Sequence, residues 1–145
     1  INADGKSFDL DGLNIVGMGG YYNSNSVAQG GKVLEKSDYQ KARGQLMSFH
    51  DSDMTVLITH SPPKTDRKID YVYGVGNVGD ANITALMTAK SIFVVCGHIH
   101  ERGGNWTEIG DSSAWNAASV TNYSNPNAPA ASVFEINNGK LRLEK

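Results

Sequence analysis

Ile92-Phe93-Val94-Val95-Cys96-Gly97-His98-Ile99-His100 is the stretch on which the reading of this chain turns. Five apolar residues end in a glycine and two histidines spaced two apart, the pattern of a buried strand delivering its last residues to a site. The run is too short to span a bilayer. If the backbone stays extended past Gly97, His98 and His100 point to one side, about 6–7 Å apart. The two ions of a paired metal site lie about 3.5–4 Å apart, so each imidazole can serve a different ion. Taken alone, the same pair also suits a solvated loop.

A second stretch repeats the arrangement. Met54-Thr55-Val56-Leu57-Ile58-Thr59 reads as a strand and runs into His60-Ser61-Pro62-Pro63. Two prolines end a ladder because neither donates a backbone hydrogen bond. His60 therefore stands where a strand becomes a loop, as His98 does. Residues 13–18 form a third strand, broken by Gly19-Gly20. Residues 21–31, rich in Asn, Ser and Gly, read as a surface loop. Ser37-Asp38-Tyr39-Gln40 has the capping-box pattern and opens a helix with Tyr39, Ala42, Leu46, Met47 and Phe49 on its apolar face.

Residues 64–70 form a charged loop and 71–79 a Gly-rich one. A helix capped by Asp80 or Asn82 follows, with Ile83, Leu86 and Met87 on its buried face. Beyond His100, residues 106–111 and 113–118 are expected to be short antiparallel strands. Residues 122–130 hold two prolines and read as loop. Residues 131–136 and 140–143 form a hairpin around Asn137-Asn138-Gly139.

Strands alternating with helices in the middle, and antiparallel strands at the end, predict a layered α/β (α+β) fold with a mixed sheet. Ligands in such folds gather at the carboxyl ends of strands, where His60, His98 and His100 all stand. The fourth histidine, His50, is read as a surface group near a helix C-terminus. Cys96 is read as a buried structural thiol. Ser61 lacks the Gly-x-Ser-x-Gly context of a nucleophile elbow.

At 145 residues the chain fits one domain. A net charge of −2 and a pI near 6.1 give no strong nucleic-acid signal. No apolar run is of membrane-spanning length, and no Lys/Arg cluster suggests an anionic bilayer. One cysteine excludes an internal disulfide and favours a reducing, cytoplasmic setting. Asn82, Asn105 and Asn122 match the glycosylation pattern as chance allows in a chain rich in Asn, Ser and Thr. The first residue is Ile1 rather than methionine, which points to trimming and leaves room for a missing N-terminal portion.

Gly74-Val75-Gly76-Asn77-Val78-Gly79 matches the dinucleotide fingerprint and runs into a helix. That fingerprint needs a solid strand before it and an acidic residue ending the next strand. Only Tyr71-Val72-Tyr73 precedes it, and the next strand ends in Cys96-Gly97-His98 without a carboxylate. The glycines also suit a flap that folds over a phosphate at the helix start.

Together, Thr59-His60-Ser61-Pro62-Pro63, the Gly76-Asn77-Val78-Gly79 loop and Val95-Cys96-Gly97-His98-Ile99-His100-Glu101 resemble the C-terminal half of the calcineurin-like metallophosphoesterases, above all small prokaryotic and archaeal members. The resemblance covers roughly residues 13–120, and the last hairpin fits the family's sandwich. It implies a layered β-sandwich of mixed sheets flanked by helices, with residues 1–145 as the C-terminal half of one domain. It further implies two divalent metal ions, with His60 and His98 binding one and His100 the other. A hydroxide bridging the ions would attack phosphorus in line. Imidazole suits Mn, Fe, Zn or Ni alike. Gly76, Asn77 and Gly79 would lie against the phosphoester substrate, although Asn77 stands where related sequences often have histidine.

The family's first half supplies Asp-x-His, Gly-Asp-x-x-Asp and Gly-Asn-His-Asp/Glu motifs, and none occurs here. Asp9, Asp11, Asp51 and Asp53 lack the right neighbours. Three imidazoles without a bridging carboxylate do not offset the repulsion between two close ions. The expectation is therefore a metal-dependent phosphoesterase half, inactive by itself, that pairs with a missing N-terminal half or self-associates to cover an open sheet. A catalytically silent interaction module of the same fold is one alternative; a nucleotide-binding module built on residues 74–79 is the other.

Overall fold

The computed structural model describes residues 2–21, 31–66, 68–118, 134–137 and 140–143. Its centre is a six-stranded mixed sheet in the order β1 (Ser7–Leu10), β2 (Leu13–Met18), β3 (Thr55–Thr59), β6 (Phe93–Cys96), β8 (Ser112–Asn116), β7 (Trp106–Ile109). The four inner strands run parallel, while β1 and β7 close the two edges as antiparallel hairpin partners. Between β2 and β3 lies α1 (Lys36–Ser48); between β3 and β6 lie a small hairpin, β4 (Tyr71–Val72) with β5 (Gly76–Asn77), and α2 (Ala81–Ala89). A second two-stranded sheet pairs β9 (Phe134–Asn137) with β10 (Lys140–Leu143) antiparallel, with Asn137, read as part of the turn, ending the strand instead. This is an α+β architecture, as the alternation of elements predicts. Among the described residues no helix is long and apolar enough to cross a membrane.

Register explains the core. Val16, Leu57, Val94 and Ala114 stand opposite one another across all four inner strands and are fully buried. Because side chains alternate along a strand, these residues form one row on one face. Ala42 and Leu46 from α1, and Ile83, Leu86 and Met87 from α2, pack in the same core. On the other face Phe93 packs against Trp106, and Phe134 of β9 packs against Phe93, Trp106 and Trp115. Ile58, one residue along from Leu57, is 41% exposed.

Helix ends refine the sequence reading. Ser37 lies inside α1 rather than capping it. The cap is Glu35, whose amide donates to the Asp38 carboxylate at 2.9 Å. Lys32 holds that carboxylate from the other side at 2.7 Å and lowers its pKa, so Asp38 takes the position assigned to Gln40. Asp80 caps α2 by accepting from the Asn82 amide at 2.8 Å. Its fully buried carboxylate also accepts from the Tyr39 hydroxyl, joining the two helices. At the far end of α1, buried Lys90 donates to the Phe49 carbonyl at 3.0 Å and pairs with exposed Asp51 at 2.8 Å. Cys96 is a buried free thiol pushed up to about 12 by desolvation, as its apolar setting predicts. His50 is exposed, with Nδ1 2.8 Å from the Ser52 hydroxyl. The residues read as a loop at 122–130 lie outside the described residues.

Truncating the core row tests this register. Leu57→Ala should cost about 2–5 kcal/mol in urea unfolding. Ile58→Ala, on the exposed side of the same strand, should cost no more than about 1 kcal/mol.

Candidate metal centre

Parallel pairing of β2, β3 and β6 brings their carboxyl ends to one edge of the sheet. The Gly97 amide extends this pairing by donating to the His60 carbonyl at 3.0 Å. His60 and His98, 38 residues apart in sequence, consequently meet, with His60 Nε2 3.0 Å from His98 Nδ1. Both rings are partly buried. Desolvation lowers both imidazole pKa values from 6.5; the charge of His100 lowers His60 further, and those of His60 and His100 lower His98. The pair is thus held as neutral rings, the form that ligates metals.

The separation can be tested against metal chemistry. Two cis ligands at the usual imidazole–metal distance of about 2.0–2.1 Å stand about 2.9–3.4 Å apart, for angles between octahedral and tetrahedral. The observed 3.0 Å falls inside that window and is also the length of the hydrogen bond the two rings share, so one ion would take both nitrogens in place of the proton between them. Among the described residues no group of three or more His, Cys, Asp or Glu side chains forms a metal cluster. The described residues therefore bring two imidazoles together and stop short of a three-donor group.

The backbone does not stay extended past Gly97. His98 has φ of 69°, and the Ile99 amide donates to the Gly97 carbonyl at 2.8 Å across it. This is a three-residue turn of the strained kind, and a left-handed non-glycine residue costs about 1–2 kcal/mol. Such strain persists only where the surroundings over-determine it. Here they do: the Ile99 side chain is buried, and its carbonyl accepts from Asn116 Nδ2 at 2.9 Å. His100 then opens a 3-10 turn, His100–Arg102, and is exposed. The even spacing of His98 and His100 along a strand is thus replaced by a turn between them. The structure joins His60 to His98 directly and relates His100 to both through charge.

Residues 71–79 fold as the β4–β5 hairpin rather than as an open loop. Gly74, at φ 76°, lies in its turn, and Gly76, at φ 104°, opens β5. Asn77 Nδ2 donates to the Thr65 carbonyl at 2.9 Å. Gly79 packs where a Cβ would sit 2.4 Å from the Pro63 carbonyl oxygen, so its smallness serves the chain crossing there. Buried Asp70 organises the base of this region, accepting from the Thr65 hydroxyl, the Thr65 amide at 3.0 Å and the Gly79 amide at 3.3 Å. At the start of α2, the Asp80 carboxylate already occupies an amide that a pyrophosphate would need, and its negative charge opposes an anion there.

Tyr21 was not among the residues the sequence singled out. Its ring packs edge-on against His60 at 4.6 Å and His98 at 5.6 Å between centroids. Backbone bonds to Lys32 and Leu34, both 2.8 Å, hold it beyond the end of β2. The strand-end rule that marks His60 and His98 applies to Tyr21 equally, because β2 is the third parallel strand of the set.

No family model and no curated protein matches this chain. Solved structures share its fold, among them two crystal structures. One crystal structure has TM-score 0.60 and 13% identity over 79% of this chain and 44% of its own. The crystal structure of TT1561 of Thermus thermophilus has TM-score 0.56 and 11% identity over 99% of this chain and 58% of its own. The chain spans about half the length of these structures.

The pKa directions give a test on the metal-free protein. Folded-state values depressed below 6.5 contribute nothing where both states hold neutral rings. Stability is lost as pH falls, because the unfolded chain takes up the protons first. Urea midpoints should therefore fall between about pH 7.5 and about pH 5.0, the range that brackets the ordinary imidazole pKa. His98→Gln should reduce that slope, and imidazole NMR titrations should place both rings below 6.5.

Proposed function

We propose that this chain carries the histidine ligands of a metal-dependent phosphoesterase, hydrolysing a phosphomonoester or phosphodiester at a dinuclear centre within a metallophosphoesterase-like sandwich. The observation that carries this reading is the meeting of His60 Nε2 and His98 Nδ1 at 3.0 Å, at the carboxyl ends of adjacent parallel strands. These two imidazoles would hold one ion, and His100, one turn further on, the second. When bound, the ions supply Lewis acidity toward phosphoryl oxygens and lower the pKa of water. The chain's own part is to hold the rings neutral and partly desolvated, with Tyr21 against both and the turn at His98 fixing their approach.

Two close divalent ions need carboxylates to offset their repulsion, and these would come from an N-terminal half supplied by sequence upstream of Ile1. A chain spanning about half of two similarly folded structures agrees with that division. Mn, Fe, Zn and Ni all suit imidazole. A cytoplasmic setting goes with the free Cys96 thiol.

A catalytically silent module is the second reading, favoured by the lack of a three-donor cluster among the described residues. Expression of the chain alone and together with any sequence encoded upstream of Ile1 separates the two. With Mn²⁺, hydrolysis of p-nitrophenyl phosphate or its bis ester is expected. His60→Ala and His98→Ala should each lower it by more than the roughly 10–100-fold that losing an outer-shell partner costs, and His100→Ala should lower it as well. Unchanged rates in all three variants would overturn the assignment, whereas stoichiometric binding of two ions by this chain alone would dispose of the silent reading.

A further inference from the structure

Beside the histidine turn stands a cluster that the metal reading does not use. The Arg102 guanidinium carbon lies 5.2 Å from the Tyr71 ring centre and 5.6 Å from that of Tyr73. The two tyrosine rings meet edge-to-face at 5.9 Å and 89°. Arg102 ends the 3-10 turn that His100 begins, whereas the tyrosines belong to the β4–β5 hairpin. Despite these contacts Tyr73 remains 61% exposed and its neighbour Val75 72% exposed.

The two pieces are locked together. Fully buried Asn116 donates from Nδ2 to Ile69, at the root of the hairpin, at 3.2 Å and to Ile99, inside the histidine turn, at 2.9 Å. One amide group therefore fixes the aromatic hairpin relative to His98 and His100, and the Arg102 contacts join them again at a second point. Among the described residues no carboxylate pairs with Arg102, and its Nε is buried without an acceptor. The guanidinium thus meets aromatic faces rather than a carboxylate among the described residues. A cation set against aromatic rings, with exposed Tyr and Val beside it, suits a ligand that is anionic at one end and flat and apolar at the other.

We infer that Tyr73, backed by Tyr71 and Arg102, is a platform that stacks a planar aromatic ring on the alcohol side of the phosphoester. The substrate class is then an ester of a ring-bearing alcohol rather than a simple alkyl or sugar phosphate. This rests on the phosphoesterase reading, since the His60–His98 pair must hold the phosphoryl end.

Calorimetry with phenyl phosphate and cyclohexyl phosphate, on the chain coexpressed with any sequence encoded upstream of Ile1 and shown to hold Zn²⁺, separates stacking from plain apolar contact. Phenyl phosphate should bind at least about fivefold more tightly, the lower end of what aromatic stacking contributes. Tyr73→Ala should abolish that ratio while leaving cyclohexyl phosphate affinity unchanged, and Tyr73→Phe should preserve it. Adenosine monophosphate against ribose 5-phosphate, run the same way, tells whether the ring is a nucleobase or a smaller aryl group. Equal binding of phenyl and cyclohexyl phosphate, a ratio unchanged in Tyr73→Ala, or no binding of either overturns the platform. Affinities that are indifferent to Zn²⁺ and to His98→Ala overturn the phosphoesterase reading instead, whatever the ratio.

Discussion

Leu57 and Val94 face one another across β3 and β6, both without solvent exposure, and the carboxyl edge of the sheet inherits its geometry from that pairing. Slipping either strand by one residue would turn its apolar row away from α1 and α2. Burial therefore fixes the register, and register fixes where each strand ends. His60 and His98 are one and two residues beyond those ends, and the Gly97 amide carries the pairing one step past the strands. The approach of the two imidazoles is thus a consequence of core packing. The energy that holds it comes from apolar burial far from the rings, which leaves the site free to tolerate a left-handed residue.

Much of this was legible because apolar runs are legible. β2, β3, β6 and α2 follow from continuous hydrophobic segments bounded by Gly, Pro or a capping Asp, and the sheet's mixed character follows from their alternation. The terminal hairpin followed from Asn-Gly. The meeting of His60 with His98 was legible through the strand-end rule. The course of the chain after Gly97 was not, because what bends it is Asn116, on a different strand, grasping the Ile99 carbonyl. No local pattern around His98 encodes a hydrogen bond from a residue so far along the chain. The cap of α1 was misplaced by two residues for a related reason: Lys32 and the Glu35 amide converge on Asp38, and a charged acceptor outcompetes Gln40.

The Gly-rich segment shows the other limit. Its spacing matches a phosphate-binding fingerprint, and each glycine also has a use of its own in the fold. Gly74 adopts positive φ in the hairpin turn and Gly76 at the start of β5, and Gly79 lets two chain segments cross. Asn77 spends its amide on Thr65. A spacing rule records where a side chain is missing without recording why, and only the neighbouring backbone separates a turn from a cradle. The aromatic residues flanking these glycines carried less sequence signal than the glycines themselves, although Tyr71 and Tyr73 are the ones that reach Arg102.

Lys90 has an asymmetry of its own. Its ammonium is enclosed at the end of α1, bound to the Phe49 carbonyl, while the carboxylate that balances it, on Asp51, stands almost wholly in water. An amine in that position is shielded from acylating reagents for as long as the helix end stays seated. Its labelling rate, set beside that of the surface lysines, becomes a clock for how often the seam between α1 and the turn after α2 comes apart.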